Sequence, residues 1–148
     1  MFDWIPLAYY TPIYYYMMLM VVLLTLLHSQ TLAIDDSRNK NYLQIMGVFV
    51  LIFVLFYMGL RPISSQYFGD MGTYALYFEN YQQGASVSSL NDLLFHYFML
   101  YSSKKMGVHT FFLVCAILYV VPLYLVCKKW FPFYWFYAFL MLVVSFSF

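Results

Sequence analysis

The chain has 148 residues, of which 65% are hydrophobic and 9% charged, with a formal net charge of +1 and a mean hydropathy of +0.75. Water-soluble domains carry about a quarter charged and about half apolar residues, so this composition excludes a soluble globular domain and points to lipid as the surrounding medium. The seven Lys and Arg are scattered rather than gathered in a stripe, which argues against nucleic acid as a partner, and aromatics at 24% fit a surface with many rings at the headgroup boundary.

Taken in order, four apolar segments approach the roughly 20 residues that a helix needs to cross a bilayer. The first covers residues 7–27, entering through Tyr9-Tyr10-Thr11-Pro12 and continuing as an unbroken run of Met, Leu and Val. It lacks the basic flank and the small-residue cleavage site of a secretory signal, and Asp3 precedes it, so it is expected to be retained. The second covers residues 43–60, between the charged turn at 35–40 and Arg61-Pro62. The third covers residues 108–127 and stops at Lys128-Lys129; the fourth opens at Phe133, after Trp130-Phe131-Pro132. Residues 133–148 would span about 24 Å, short of a hydrocarbon core of about 30 Å, so the chain is expected to be the first portion of a longer protein. The fold class expected is all-α, a polytopic membrane protein of about four spanning helices forming one membrane domain.

Between the second and third spans, residues 61–107 form the one long polar stretch. Pro62 disfavours continued helix at Arg61. Ser64, Ser65 and Gly69 permit a turn, after which Asp70 is placed to cap a helix over residues 70–82 with Met71, Tyr74, Ala75 and Phe78 as its apolar stripe. Such a helix is too polar to span and is expected to lie flat on the membrane surface. Asp70 and Tyr74, at i and i+4, share one side of it. Arg61, across a flexible turn, is within reach of that carboxylate or of a phosphate, for which a guanidinium is well suited. Residues 90–101 read as a second surface or re-entrant helix carrying His96, which could act as a general acid or base or simply pack.

Arg61, Asp70 and Tyr74 each have a simpler reading as a snorkelling anchor, a helix cap and an interfacial ring. Lys104 and Lys105 read as surface anchors, and His28 and His109 lie at helix ends. Cys115 and Cys127 fall about 18 Å apart on one helix, beyond disulfide reach. No motif with metal-ligand spacing occurs, so neither a metal nor any cofactor is expected. An external N-terminus leaves Arg38, Lys40, Lys128 and Lys129, four of the seven basic residues, on the inner side. Residues 61–107 then face outward.

Around this loop the sequence resembles the EpsG-like, Wzy-type polymerases of bacterial extracellular polysaccharide synthesis. The residues that carry the resemblance are Gly59-Leu60-Arg61-Pro62, Tyr67-Phe68-Gly69-Asp70, Tyr74 and Phe78, with looser similarity through Asp92-Leu93-Leu94-Phe95, Ser103-Lys104-Lys105-Met106 and Cys127-Lys128-Lys129-Trp130-Phe131-Pro132. It implies a plasma-membrane glycosyltransferase that polymerises polyprenyl-diphosphate-linked oligosaccharide repeats on the outer face, with other polysaccharide synthesis and export proteins as partners. Arg61 would neutralise the diphosphate, Asp70 would orient Arg61 or take the acceptor proton, and Tyr67, Gly69, Tyr74, Phe78 and His96 would line the sugar groove. The similarity reaches only the first part of a typical family member, so the chain alone is expected not to turn over. A non-catalytic accessory subunit or a transporter module is the alternative. The spans lack central ionisable residues, which weighs against an ion pathway.

Overall fold

The computed structural model describes residues 5–31, 37–87 and 92–146. Six helices follow in order: α1 (Leu7–Ser29), α2 (Ser37–Gly59), α3 (Met71–Gln82), α4 (Leu93–Ser103), α5 (Val108–Trp130) and α6 (Trp135–Val144). The helices α1, α2 and α5 each have 23 residues, a length of about 35 Å and enough to cross the hydrocarbon core. They are apolar nearly all round. Leu19, Leu23 and Leu27 of α1, Ile45 and Ile52 of α2, and Leu118 and Leu125 of α5 are exposed, an arrangement suited to lipid and costly in water. The protein is an all-α membrane protein.

Three boundaries differ from those read in the sequence. Helix α2 begins at Ser37 rather than 43, because Asn39 is buried and its Oδ1 lies 3.2 Å from Nε2 of His28, drawing residues 37–40 into the first helical turn. Helix α5 continues through Lys128 and Lys129 to Trp130. The fourth apolar segment forms only the ten-residue α6, since Phe131 to Tyr134 make a turn before Trp135 and Ser145 closes the helix with bonds to Met141 and Val143. At about 15 Å, α6 reaches roughly half the depth of the core.

The long helices run antiparallel. Gly59, at the end of α2, packs on Leu113 near the start of α5, and the Trp135 ring at the start of α6 lies over Gly47. Tyr124 of α5 meets the rings of Trp135 and Phe139 edge-on at 5.5 and 5.3 Å. A glycine at 47 is required by space: a Cβ there would come within 2.6 Å of Trp135 Cζ3.

Helix α1 joins the bundle through tyrosines. The Tyr10 hydroxyl donates to the Tyr57 carbonyl at 2.7 Å, the Tyr57 hydroxyl donates to the Tyr10 carbonyl at 2.7 Å, and their rings lie 4.3 Å apart. The Tyr14 hydroxyl donates to the Val143 carbonyl of α6 at 2.8 Å. The Tyr57 carbonyl belongs to the last turn of α2, where no i+4 amide of the helix serves it, and a carbonyl left without a donor in an apolar medium is expensive. The Val143 carbonyl, in the last turn of α6, takes the Tyr14 hydroxyl beside the Phe146 amide at 3.2 Å. Tyrosine brings a hydrogen-bond donor on an apolar body. Tyr10→Phe is therefore expected to lower stability by about 1 kcal/mol, and the Tyr10→Phe, Tyr57→Phe pair by about twice that. Thermal unfolding in detergent would check this, and an unchanged midpoint in the double variant would contradict it.

The second layer is the α3–α4 hairpin, which packs on the first turns of α5. Phe78, Tyr81, Met99 and Phe111 are buried together there. Gln82 Nε2 donates to the carbonyls of Ser103 and Met106, at 3.2 and 3.4 Å, which closes the hairpin against the start of α5. The helix expected to lie flat on the membrane is present, but its apolar stripe is turned onto protein. Met71, Ala75 and Phe78 are buried and Tyr74 is half-buried: Phe78 and Tyr74 meet Phe95, Phe98 and Phe111 of α4 and α5, and Met71 joins the cluster of Tyr10, Tyr57 and Phe68. Of the second predicted helix, residues 90 and 91 lie outside the described residues, and α4 runs from Leu93, with Asp92 as its N-cap residue, to Ser103.

Candidate functional site: the Arg61 loop

Helix α2 ends where Leu60 donates its amide to the Phe56 carbonyl, and Pro62 bars further helix. The chain then makes one turn, closed by the Phe68 amide on the Ser64 carbonyl at 3.1 Å, and reverses at Gly69, whose φ of +54° is the left-handed region that glycine enters without steric cost. This reversal lays the loop on the first turn of α3. A Cβ at Gly72 would collide with Oγ of Ser65 and come within 2.8 Å of its Cβ, so the close approach depends on glycine there.

Arg61 emerges half-buried at this point. Its Nε donates to Sδ of Met71 at 3.1 Å, and its guanidinium carbon sits 5.0 Å from the centroid of the Phe68 ring. Phe68 is buried and in turn meets Tyr10 edge-on at 5.5 Å. The cation thus rests on an aromatic shelf built on the α1–α2 tyrosine pair. Burial lowers the Arg61 pKa, the negative potential of Tyr10 acts in the opposite direction, and the group stays charged at neutral pH. A thioether is a weak acceptor, a contact that an anionic oxygen would displace with gain.

Asp70 stands at the N-cap of α3, as read from the sequence, but its carboxylate is exposed and makes no side-chain capping bond. Phe68 and Met71 are among the residues that touch the guanidinium. Tyr67 is exposed beside the turn, and Tyr74, half-buried, meets Phe95 edge-on at 5.4 Å. The loop therefore carries Arg61, Tyr67, Gly69 and Asp70 within one ten-residue stretch between α2 and α3, Arg61 half-buried and Tyr67 and Asp70 exposed.

The other two candidates face the interior. Phe78 is fully buried, its ring 5.1 Å from that of Phe111, and serves to fasten the hairpin. His96 is buried with Nδ1 2.9 Å from the Tyr81 hydroxyl and its ring edge-on to Tyr77. Burial raises the Tyr81 pKa, so the phenol keeps its proton and can donate it to the ring nitrogen. This pair is a polar tie inside the hairpin.

Sequence reasoning singled out Arg61 without its supports. Phe68 and Met71 lie seven and ten positions on, across a loop whose path no periodicity reports, and Tyr10 comes from another helix. Comparison of the chain with known protein families, with curated proteins and with solved structures found no match.

Proposed function

We propose that this chain is part of a bacterial membrane machine that polymerises polyprenyl-diphosphate-linked oligosaccharide repeats for extracellular polysaccharide, with Arg61 as the diphosphate-binding group. The observation that carries the reading is a charged guanidinium, half-buried at the mouth of a 23-residue apolar helix, shelved on Phe68 and held through Nε by a displaceable thioether. A cation at that boundary suits an anionic group attached to a lipid. The resemblance of Gly59 to Arg61 and of Tyr67 to Asp70 to EpsG-like polymerases supports the same chemistry.

In the proposed reaction an acceptor sugar hydroxyl attacks the anomeric carbon of the lipid-linked repeat. The new carbon–oxygen bond forms as the anomeric bond to diphosphate breaks. The lipid diphosphate leaves with the electron pair, its added charge balanced by Arg61, and the hydroxyl proton passes to a base, for which exposed Asp70 is the candidate. Tyr67 and Tyr74 offer ring faces to sugars. The loop of residues 61–107 faces the outside of a plasma membrane in this scheme, and impermeant thiol labelling of single cysteines placed at exposed positions 67 and 83 tests that orientation.

Arg61→Ala, introduced at the native locus of the host, is expected to cut long polymer by about 10²–10³-fold while lipid-linked single repeats accumulate and the protein stays in the membrane at its normal level. Wild-type polymer in both Arg61→Ala and Asp70→Ala cells would reject the enzyme reading in favour of an accessory subunit.

A further inference from the structure

At the end of the bundle opposite Arg61, the first turns of α2 face the turn between α5 and α6 across a cavity of about 270 Å³, lined by Lys40, Leu43, Gln44, Pro132, Phe133 and Trp135. One water takes up about 30 Å³ of the liquid, so the space admits a phosphodiester with its glycerol. Trp135 is the fixed wall, because its ring is packed over Gly47. A second cation reaches the same ring: Nζ of Lys128 lies 5.4 Å from the Trp135 centroid and 5.5 Å from that of Tyr124. Trp135 is therefore common to two lysines from different helices, Lys40 in the cavity wall and Lys128 over the ring.

Lys40 is the fourth residue of α2 and Lys128 the third from the end of α5, each about 3–5 Å inside the end of a helix of about 35 Å. In a bilayer with a hydrocarbon core of about 30 Å that depth is the boundary with the headgroups. The cavity is open there, since Lys40, Gln44, Pro132 and Phe133 are exposed. Charge is divided between the two ends of the bundle. Asp35 and Asp36 lie outside the described residues; the carboxylates within them, Asp70, Glu79 and Asp92, all belong to the segment between α2 and α5, at the far end.

We propose that this cavity is a headgroup site for an anionic phospholipid, with Lys40 and Lys128 neutralising the phosphate, Gln44 donating to a phosphate or glycerol oxygen, and Leu43 and Phe133 meeting the start of the acyl chains. A zwitterionic headgroup would bring its own cation to two lysines, with no carboxylate at this end among the described residues to receive it. The apolar side chains of Leu43, Pro132, Phe133 and Trp135, at the depth of the membrane boundary, favour a lipid over a soluble anion. No residue of the 61–107 loop takes part, so the site stands apart from the polymerase reading.

Trp4→Phe with Trp130→Phe leaves Trp135 as the one tryptophan of the full chain. In phosphatidylcholine vesicles, phosphatidylglycerol brominated on its acyl chains near the headgroup is expected to quench Trp135 to saturation while it is still the minor lipid. Brominated phosphatidylcholine should quench only in proportion to its share, and the ratio of the two is unaffected by changes in the emission of Trp135 itself. Lys40→Gln and Lys128→Gln should each weaken capture about fivefold, the effect of one lysine at a membrane surface. Lys40→Arg should retain it, and Lys104→Gln with Lys105→Gln, at the other end, should leave it unchanged. Proportional quenching by both lipids, or an equal loss in the Lys104, Lys105 variant, would overturn the site and leave general surface charge. Reversal of the quenching by inorganic phosphate would overturn the lipid and give the cavity to a soluble anion.

Discussion

Phe111→Ala is expected to cost about 3–5 kcal/mol and to release the α3–α4 hairpin from the bundle while α1 and α2 remain paired. Phe111 has no exposed surface, and its ring meets those of Phe78, Phe95 and Phe98 at 5.1, 6.0 and 5.4 Å. The Gln82 bonds to Ser103 and Met106 add a polar tie between α3, the end of α4 and the connection to α5. Truncation therefore opens a cavity where these rings meet. Hydrogen exchange in detergent would show α3 and α4 amides losing protection together, with α2 unchanged. Phe111→Leu, which retains most of the volume, should recover much of the loss. Equal protection in wild type and Phe111→Ala would mean that the hairpin is held by something other than this cluster.

Gly59→Val carries the second large effect, at the closest approach of α2 and α5. A Cβ on Gly59 would lie 2.8 Å from the Leu113 Cα and 2.6 Å from its Cδ1. The Cδ1 can rotate away, but the Cα belongs to the backbone of α5, so the helices must part. Overpacking of this kind costs about 1–3 kcal/mol for a single added methyl and more for a branched side chain, and separation would also disturb Leu60 and Arg61 immediately after it. Gly107 is the control, since a Cβ there meets nothing within 4 Å. Unfolding midpoints should fall steeply for Gly59→Val, moderately for Gly59→Ala and little for Gly107→Ala. Similar midpoints for the two alanine variants would refute the close-packing account.

These two sites mark the boundary of what the sequence discloses. The apolar runs of α1, α2 and α5 are visible because a bilayer demands long uncharged stretches, and α3 is visible because its stripe at Met71, Ala75 and Phe78 has a helical period. Asp70 at the start of α3 follows from turn chemistry alone. The partners are not visible. Nothing local tells that the stripe of α3 will meet Phe111 rather than lipid, since both are apolar and satisfy the same pattern. Phe78 and His96 looked available for ligand because their types suit sugars and proton transfer; their burial is a property of the α4 and α5 surfaces that close over them.

Composition and periodicity by themselves determined the solvent, the helical class and the position of Arg61 at the end of a membrane-length helix, because each is imposed within a single segment by hydrophobic length and proline geometry. Only the tertiary structure decided what Arg61 rests on, which carbonyls the Tyr10 and Tyr14 hydroxyls serve, how short α6 is, and that Lys40 and Lys128 share Trp135. Those outcomes depend on close contacts between residues far apart in the chain, where an ångström separates a packed glycine from a clash and an open cavity from a sealed one.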